Sequence, residues 1–407
     1  MLRGLLVFAV TYVLVASRRL GFARFDRPAG ALVGAVLAVG LGAVTPEQAT
    51  RAVDHTTIIL LFAVMGMGAF LSLDGFFERA GRAILSRART KRRLVGALLW
   101  GAGLLGAVVT NDAVCVIFAP LVVEWIRKDK LPRLPLLAAL ATGANTGSVA
   151  TLVGNPQNML CGSLGNLRFA PFLWHMLPVT LAALLVNHAL LLLVFRRELE
   201  GDLPPEPEAA LGSVMTVRSG VTLAVILGTV VVYTAGGSLA FTALGGFALL
   251  VLVHRREPAT VWERIDWSVL VFFGALFVAV DALARSGATE WVFARMPLAG
   301  ASPGLAGWLR IATIFLVGSN VVTNVPFILV VQGEMTKLPD PTLGWELLAM
   351  ASTFAGNLTL LGSVANVIVA EKADAVGGMR FGEHLKIGVP VALATTVVGA
   401  VLLVTLR

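Results

Sequence analysis

The sequence predicts an all-α polytopic membrane protein with about ten transmembrane helices, two re-entrant hairpins and two inverted-topology repeats. Of its 407 residues, 57% are hydrophobic and only 14% are charged, whereas about a quarter of the residues of a soluble protein are charged. Apolar stretches long enough to form a membrane helix recur along the chain. Polar motifs interrupt several of these stretches and return in the same order about 212 residues later. Together these observations exclude a soluble protein and indicate a duplicated membrane unit.

Hydrophobicity delimits ten predicted spans, two of which contain a break. Two further apolar segments, 94–125 and 308–331, are interrupted in the middle by polar residues and are predicted to be re-entrant hairpins. The predicted spans are 5–17, 29–44, 56–73, 134–163 with a break, 172–195, 221–233, 239–253, 269–283, 347–370 with a break, and 385–406.

The positions of Lys and Arg orient these spans. If both hairpins turn back, one set of loops carries 24 of the 32 Lys and Arg residues, and the opposite set carries 8. Loops on the cytoplasmic side are enriched in these residues. The sequence therefore predicts a bacterial inner-membrane protein with both termini in the periplasm.

An internal repeat divides the chain into domains. Asp54 and Asp266 precede apolar spans at an offset of 212, and the Val-Thr-Asn motif at 109–111 returns at 322–324. Asn155 falls near Asn366 at an offset of 211. The two units begin on opposite sides, so the repeats are predicted to be inverted. The predicted domains are scaffold helices in 1–53, repeat 1 in 54–195, a Pro-rich cytoplasmic linker in 196–218, scaffold helices in 219–265 and repeat 2 in 266–407.

Other functional classes lack support in the sequence. The net charge of +8 comes from short loops between spans rather than from a basic and aromatic stripe, which argues against nucleic-acid binding. Two cysteines are too few for a disulfide framework or a cysteine-rich metal site. There is no zinc-protease, serine-hydrolase or phosphate-loop motif. We therefore expect neither an enzyme nor a resident cofactor or metal.

The polar breaks are the candidate binding site. Irregular backbone at membrane depth is tolerated only where it is buried in protein or lines a wet cavity. Opened helices there expose N–H groups that favour oxygen atoms of an anion or a hydroxyl group, and amide side chains add neutral donors and acceptors. A single such residue is more often a helix contact, but paired clusters favour a site. The candidate residues are Asn111, Asp112, Asn145, Gly154, Asn155, Gln157, Asn158, Asn320, Thr323, Asn324, Asn357, Ser363 and Asn366.

Asp112 is the carboxylate among these breaks, and its counterpart in the second half is Val325. Because an ionisable group at membrane depth is costly, such a group is functional by default. We expect Asp112 to carry the coupling proton or to help hold a coupling cation. The alternative is a structural carboxylate bound to backbone N–H groups at the hairpin tip.

At these residues the sequence resembles the ion transporter superfamily, in its arsenite-permease and sodium-coupled dicarboxylate branches, and is still more similar to the silicon efflux transporters. The resemblance implies a scaffold domain, a transport domain, elevator-like movement and a homodimer. The dicarboxylate branch tends to carry Ser-Asn-Thr at both hairpin tips, but this sequence has Thr-Asn-Asp and Thr-Asn-Val. The motifs that carry the resemblance lie at 110–115, 154–158, 319–326, 356–366 and 381–390.

These observations predict proton-coupled efflux of a small hydroxylated acid, silicic or arsenous acid. One alternative is sodium-driven uptake of a carboxylate or sulfate, with Na⁺ held by backbone carbonyls near Asn111 and Asn324. Another is a passive, channel-like subunit energised by a partner ATPase.

Overall fold

The structure, a computed structural model, describes residues 1–16, 19–20, 23–24, 26–203, 213–298 and 304–407. It confirms the predicted helical class, apart from two paired two-residue strands, β1 (Arg19–Leu20) and β2 (Ala23–Arg24). The helices are α1 (Leu2–Ala16), α2 (Arg27–Gly40), α3 (Pro46–Ala52), α4 (His55–Leu73), α5 (Phe76–Arg87), α6 (Lys91–Val108), α7 (Asn111–Asp129), α8 (Arg133–Ser148), α9 (Pro156–Leu164), α10 (Phe169–Val194), α11 (Val217–Thr234), α12 (Leu239–His254), α13 (Pro258–Trp262), α14 (Trp267–Arg285), α15 (Ala288–Arg295), α16 (Gly304–Val321), α17 (Asn324–Met335), α18 (Pro341–Leu358), α19 (Val364–Lys372) and α20 (Phe381–Thr405), with short 3₁₀ helices at Leu360–Gly362 and Ala373–Val376.

Six of the described helices are long and apolar enough to cross a membrane: α4, α10, α11, α14, α16 and α20. Three shorter apolar helices are α1, α2 and α12. The two predicted broken spans appear as the pairs α8 and α9, and α18 and α19. Helix α16, predicted as one arm of a hairpin, is itself long enough to cross.

Matching helices recur in the two halves of the chain. Helices α4 and α14 both have 19 residues, and each begins after an aspartate whose carboxylate accepts a hydrogen bond from a first-turn N–H. Gly75 and Gly287 follow at φ of +66° and +74°, a backbone conformation that favours glycine. Helices α6 and α16 both have 18 residues, and α9 and α19 both have nine.

Close packing of α6 against α8 depends on glycine. A Cβ on Gly147 would collide with the backbone of Gly103, and one on Gly143 would lie 2.6 Å from the carbonyl oxygen of Leu99. Small residues let membrane helices approach to backbone contact. This pair therefore fixes α8, whose C-terminal end carries candidate site residues.

Packing also joins the two halves. Helix α7 packs against α19, α17 against α9, α8 against α18, and α10 against α20. Each pair takes one helix from the first half and one from the second. The helix breaks of both halves are thereby brought together in the interior.

Some elements differ from the sequence predictions or fall outside the described residues. Helices α3, α5, α13 and α15 lie in segments predicted only as loops, because hydropathy does not register short or amphipathic helices. The predicted linker at 196–218 is described up to Leu203 and from Ser213 onward. Its segment 204–212 lies outside the described residues.

Candidate functional site

The site is built where eight helix ends meet. Helices α6, α8, α16 and α18 end there, and α7, α9, α17 and α19 begin there. The N-terminal ends of helices carry unpaired N–H groups and a partial positive charge. Capping side chains satisfy some of these groups: Thr110 caps α7, Asn155 caps α9 and Ser363 caps α19.

Asn145 lies at the centre of a buried amide network. Its Oδ1 accepts hydrogen bonds from Asn111 Nδ2 at 2.8 Å and from Ser363 Oγ at 3.1 Å. Its Nδ2 donates to Asn357 Oδ1 and to Asn366 Oδ1, both at 3.0 Å. This single side chain, 1% exposed, joins both halves of the chain.

Asn158 and Asn366 form equivalent hydrogen bonds to backbone carbonyl oxygens in the two halves of the chain. Asn158 Nδ2 donates to the carbonyl oxygens of Ser148 and Thr151 at 3.2 and 2.8 Å. Asn366 Nδ2 donates to those of Gly356 and Thr359 at 2.7 and 3.1 Å. All three pairs of residues are 208 positions apart. The partner of Asn366 is therefore Asn158, and the expected pairing with Asn155 at 211 is wrong; Asn155 corresponds to Ser363.

Asn111 and Asn324 each begin a helix, and each has one unpaired oxygen. Asn111 Nδ2 binds Asn145, and Asn324 Nδ2 donates to the carbonyl oxygen of Gly362 at 3.1 Å. Both side chains are buried, and neither Oδ1 has a hydrogen-bond partner. An unpaired buried carbonyl is costly, so these two oxygens are available to a ligand.

Asp112 lines two cavities, and so do Pro156, Asp266 and Val269. One, of about 180 Å³, is also lined by Gln157, Asn324 and Ser363; the other, of about 310 Å³, runs beside α4. The carboxylate is half-buried and lies near the backbone of Ala365 in the first turn of α19. It thus lies where the start of α7 in the first half packs against α19 of the second half.

The remaining candidates either line the smaller cavity or form hydrogen bonds that hold neighbouring helix ends together. Gln157 and Thr323 line the smaller cavity, and Gln157 Oε1 is unpaired. Thr323 has a φ of +69°, which is strained for a β-branched residue. Asn320 donates to the carbonyl oxygen of Ala355 at 2.6 Å, and the carbonyl oxygen of Gly154 accepts from the N–H of Asn111 at 3.0 Å.

Sequence reasoning missed three residues that support this network. Thr146 Oγ1 accepts from Asn187 Nδ2 at 3.1 Å and from Asn357 Nδ2 at 3.2 Å. Nε2 of His384, a fully buried residue, lies 2.8 Å from the carbonyl oxygen of Asn357. The presence of Asn187 in a long apolar helix was a usable signal; the role of His384 depends on which helix α20 meets.

Comparisons with known proteins converge on one group. Residues 12–355 match the family described as citrate transporter, CitMHS. The silicon efflux transporter LSI3 of Oryza sativa subsp. japonica is 29% identical, with 97% of this chain and 96% of the relative covered. The inner membrane protein YbiR of Escherichia coli K12 is 31% identical, with 89% and 91% covered. The structure of Neisseria gonorrhoeae MtrF, which belongs to a class of antimetabolite efflux pumps, has a TM-score of 0.60 at 11% identity over 98% of this chain and 93% of that one, a likeness of fold alone.

Proposed function

Because the chain belongs to the citrate transporter family within the ion transporter superfamily, we propose that it exports a small hydroxylated acid, silicic or arsenous acid, in exchange for protons. Membership of this family confirms the resemblance that the polar motifs of the sequence predicted. The chain is a multi-pass membrane transporter. Its substrate, coupling ion and direction are the proposal.

The observation that carries the proposal is the charge balance of the smaller cavity. Two carboxylates, Asp112 and Asp266, line it together with one guanidinium, that of Arg27. The rest of its polar lining consists of amides, hydroxyls and opened backbone. A di- or tricarboxylate would meet an excess of negative side-chain charge there. A neutral solute with several hydroxyl groups would find both donors and acceptors without that cost.

Asp112 is the proposed proton carrier. It lines both cavities and lies near the N-terminal end of α19. The ionised carboxylate can accept hydrogen bonds from hydroxyl groups of the solute. Binding of a proton would remove this charged acceptor, so proton and solute would compete through one side chain.

We further propose the predicted membrane arrangement: ten spans, hairpins at 94–125 and 308–331, and inverted repeats at 54–195 and 266–407. The equal lengths of matched helices and the equivalent contacts of Asn158 and Asn366 support a repeat. Scaffold helices would occupy 1–53 and 219–265, with a cytoplasmic linker at 196–218. A homodimer in the inner membrane, periplasmic termini and elevator-like movement complete the proposal.

One observation favours a second candidate, sodium-driven uptake of an anion. The unpaired Oδ1 atoms of Asn111 and Asn324 lie at the starts of matched helices, and amide oxygens are ligands for hard cations. Among the described residues, no cluster of three His, Cys, Asp or Glu could hold a metal ion. A cation would therefore depend on amides, backbone carbonyls and Asp112.

Thermal denaturation of the purified protein separates the two candidates. Arsenous acid at 100 times its Kd should stabilise the protein by about 2.7 kcal/mol, whereas citrate with sodium should leave the melting temperature unchanged. Gln157→Ala, which removes a group from the cavity wall, should reduce the shift with arsenous acid. Gln332→Ala on α17, which does not line the cavity, should retain it. Stabilisation by citrate and sodium alone would reject the proposal.

A further inference from the structure

Helix α5 has one buried face and one basic face. It turns away from α4 at Gly75 and packs Phe77 against Phe118 of α7, with ring centroids 6.1 Å apart. Gly81 faces Leu121 on the same side. Because α5 directly follows the apolar helix α4, we expect its basic face to lie near the lipid headgroups.

The segment 79–93 contains seven basic residues and no acidic residue. Five arginines in it are exposed. In the described part of the chain, no basic side chain of this segment forms an ion pair with a carboxylate. Among the described residues, no carboxylate compensates the repulsion between these basic side chains, which favours an external anion. The seven residues are Arg79, Arg82, Arg87, Arg89, Lys91, Arg92 and Arg93.

A groove of about 290 Å³ lies between the end of α5 and the start of α6. Its apolar wall is formed by Ala83, Ile84, Ala88 and Ala97, and its charged wall by Arg87 and Arg93. Arginine binds phosphate oxygens through two parallel N–H groups. An apolar wall beside a charged wall matches the chemistry of a phospholipid, which joins acyl chains to a phosphate.

The acidic linker is the competing occupant. It passes beside the α5–α6 loop, where the N–H of Leu203 donates to the carbonyl oxygen of Arg89 at 3.0 Å and Lys91 Nζ donates to that of Glu200 at 2.9 Å. These contacts use the linker's main chain, and no described linker residue lines the groove. Among the residues that the structure describes, none fills the groove, and a lipid can enter it.

We propose that this groove binds one anionic phospholipid, with its phosphate between Arg87 and Arg93 and an acyl chain along the alanines. Each basic residue near a membrane surface contributes about 1 kcal/mol to binding of anionic lipid. A bound lipid would hold the loop between α5 and α6 at the membrane surface. It would thereby fix the start of α6, which leads to Asp112 in the first turn of α7.

Native mass spectrometry of the purified full-length protein tests this proposal, with phosphatidylglycerol and phosphatidylcholine as probes. The variant Arg87→Gln/Arg93→Gln should bind phosphatidylglycerol roughly tenfold or more weakly, with binding of phosphatidylcholine unchanged. The control Arg196→Gln/Arg197→Gln removes two exposed arginines at the end of α10 and should bind phosphatidylglycerol as the wild type does.

Equal binding by the groove variant and the wild type would overturn the proposal, as would an equal loss in the control. Tighter phosphatidylglycerol binding after Glu206→Gln/Glu208→Gln would instead identify the linker as the occupant. The measurement contains no solute, so its outcome is independent of the transport proposal.

Discussion

The side-chain amides of Asn145 and Asn357, 212 residues apart in the chain, are joined by a hydrogen bond of 3.0 Å. Both residues are fully buried, and each lies in the last turn of the first part of a broken helix. The contact makes the helix break of each half depend on the other. The two helix breaks are therefore in direct contact in the interior of the protein.

Removal of the Asn145 side chain should be costly. Asn145→Ala leaves four buried groups without their partner. At about 0.6 kcal/mol for each hydrogen bond between membrane helices, we expect a loss of stability of roughly 2–3 kcal/mol. Thermal denaturation in detergent measures it. Asn187→Ala, which removes two side-chain bonds, is the matched control and should cost about half as much. Equal costs would contradict the central position of Asn145.

Asn158 and Asn366 should respond alike to substitution. Each ties the second part of a broken helix to the backbone of the break. Asn158→Ala and Asn366→Ala should therefore destabilise the protein by similar amounts, on the order of 1–2 kcal/mol, in the same denaturation assay. Asn155→Ala removes a helix cap instead. If only one of the two variants were destabilised, the equivalence at an offset of 208 would be wrong.

Glycine at the α6–α8 contact should be irreplaceable. Gly147→Ala places a Cβ against the backbone of Gly103, and overpacking of this kind costs about 1–3 kcal/mol. The melting temperature should fall and transport with it. Gly333→Ala in α17, where a Cβ would meet nothing within 4 Å, should leave the melting temperature the same or higher. An unchanged melting temperature for Gly147→Ala would show that the two helices can separate without an energetic cost.

The sequence was sufficient to predict where the helices break but not how the breaks connect. Thr110 and Ser363 are recognisable caps beside polar motifs, so the interruptions could be located from local pattern alone. The offset of 208 between Asn158 and Asn366 could not be predicted in this way, because α17, with 12 residues, is shorter than its counterpart α7, with 19. His384 likewise has no local signal; its partner, the carbonyl oxygen of Asn357, is defined only by packing of α20 against α18.

Solute efflux from proteoliposomes under an imposed pH gradient tests the central claim most directly. With arsenous acid inside and the higher proton concentration outside, wild-type protein should release the solute faster than without a gradient. Asp112→Asn, which keeps the size of the side chain, should lose at least about tenfold of the gradient-driven rate, equivalent to about 1.4 kcal/mol, while solute exchange without a gradient persists. Asp54→Asn, a conservative change at the cap of α4, should remain coupled. Undiminished gradient-driven efflux by Asp112→Asn would contradict the account.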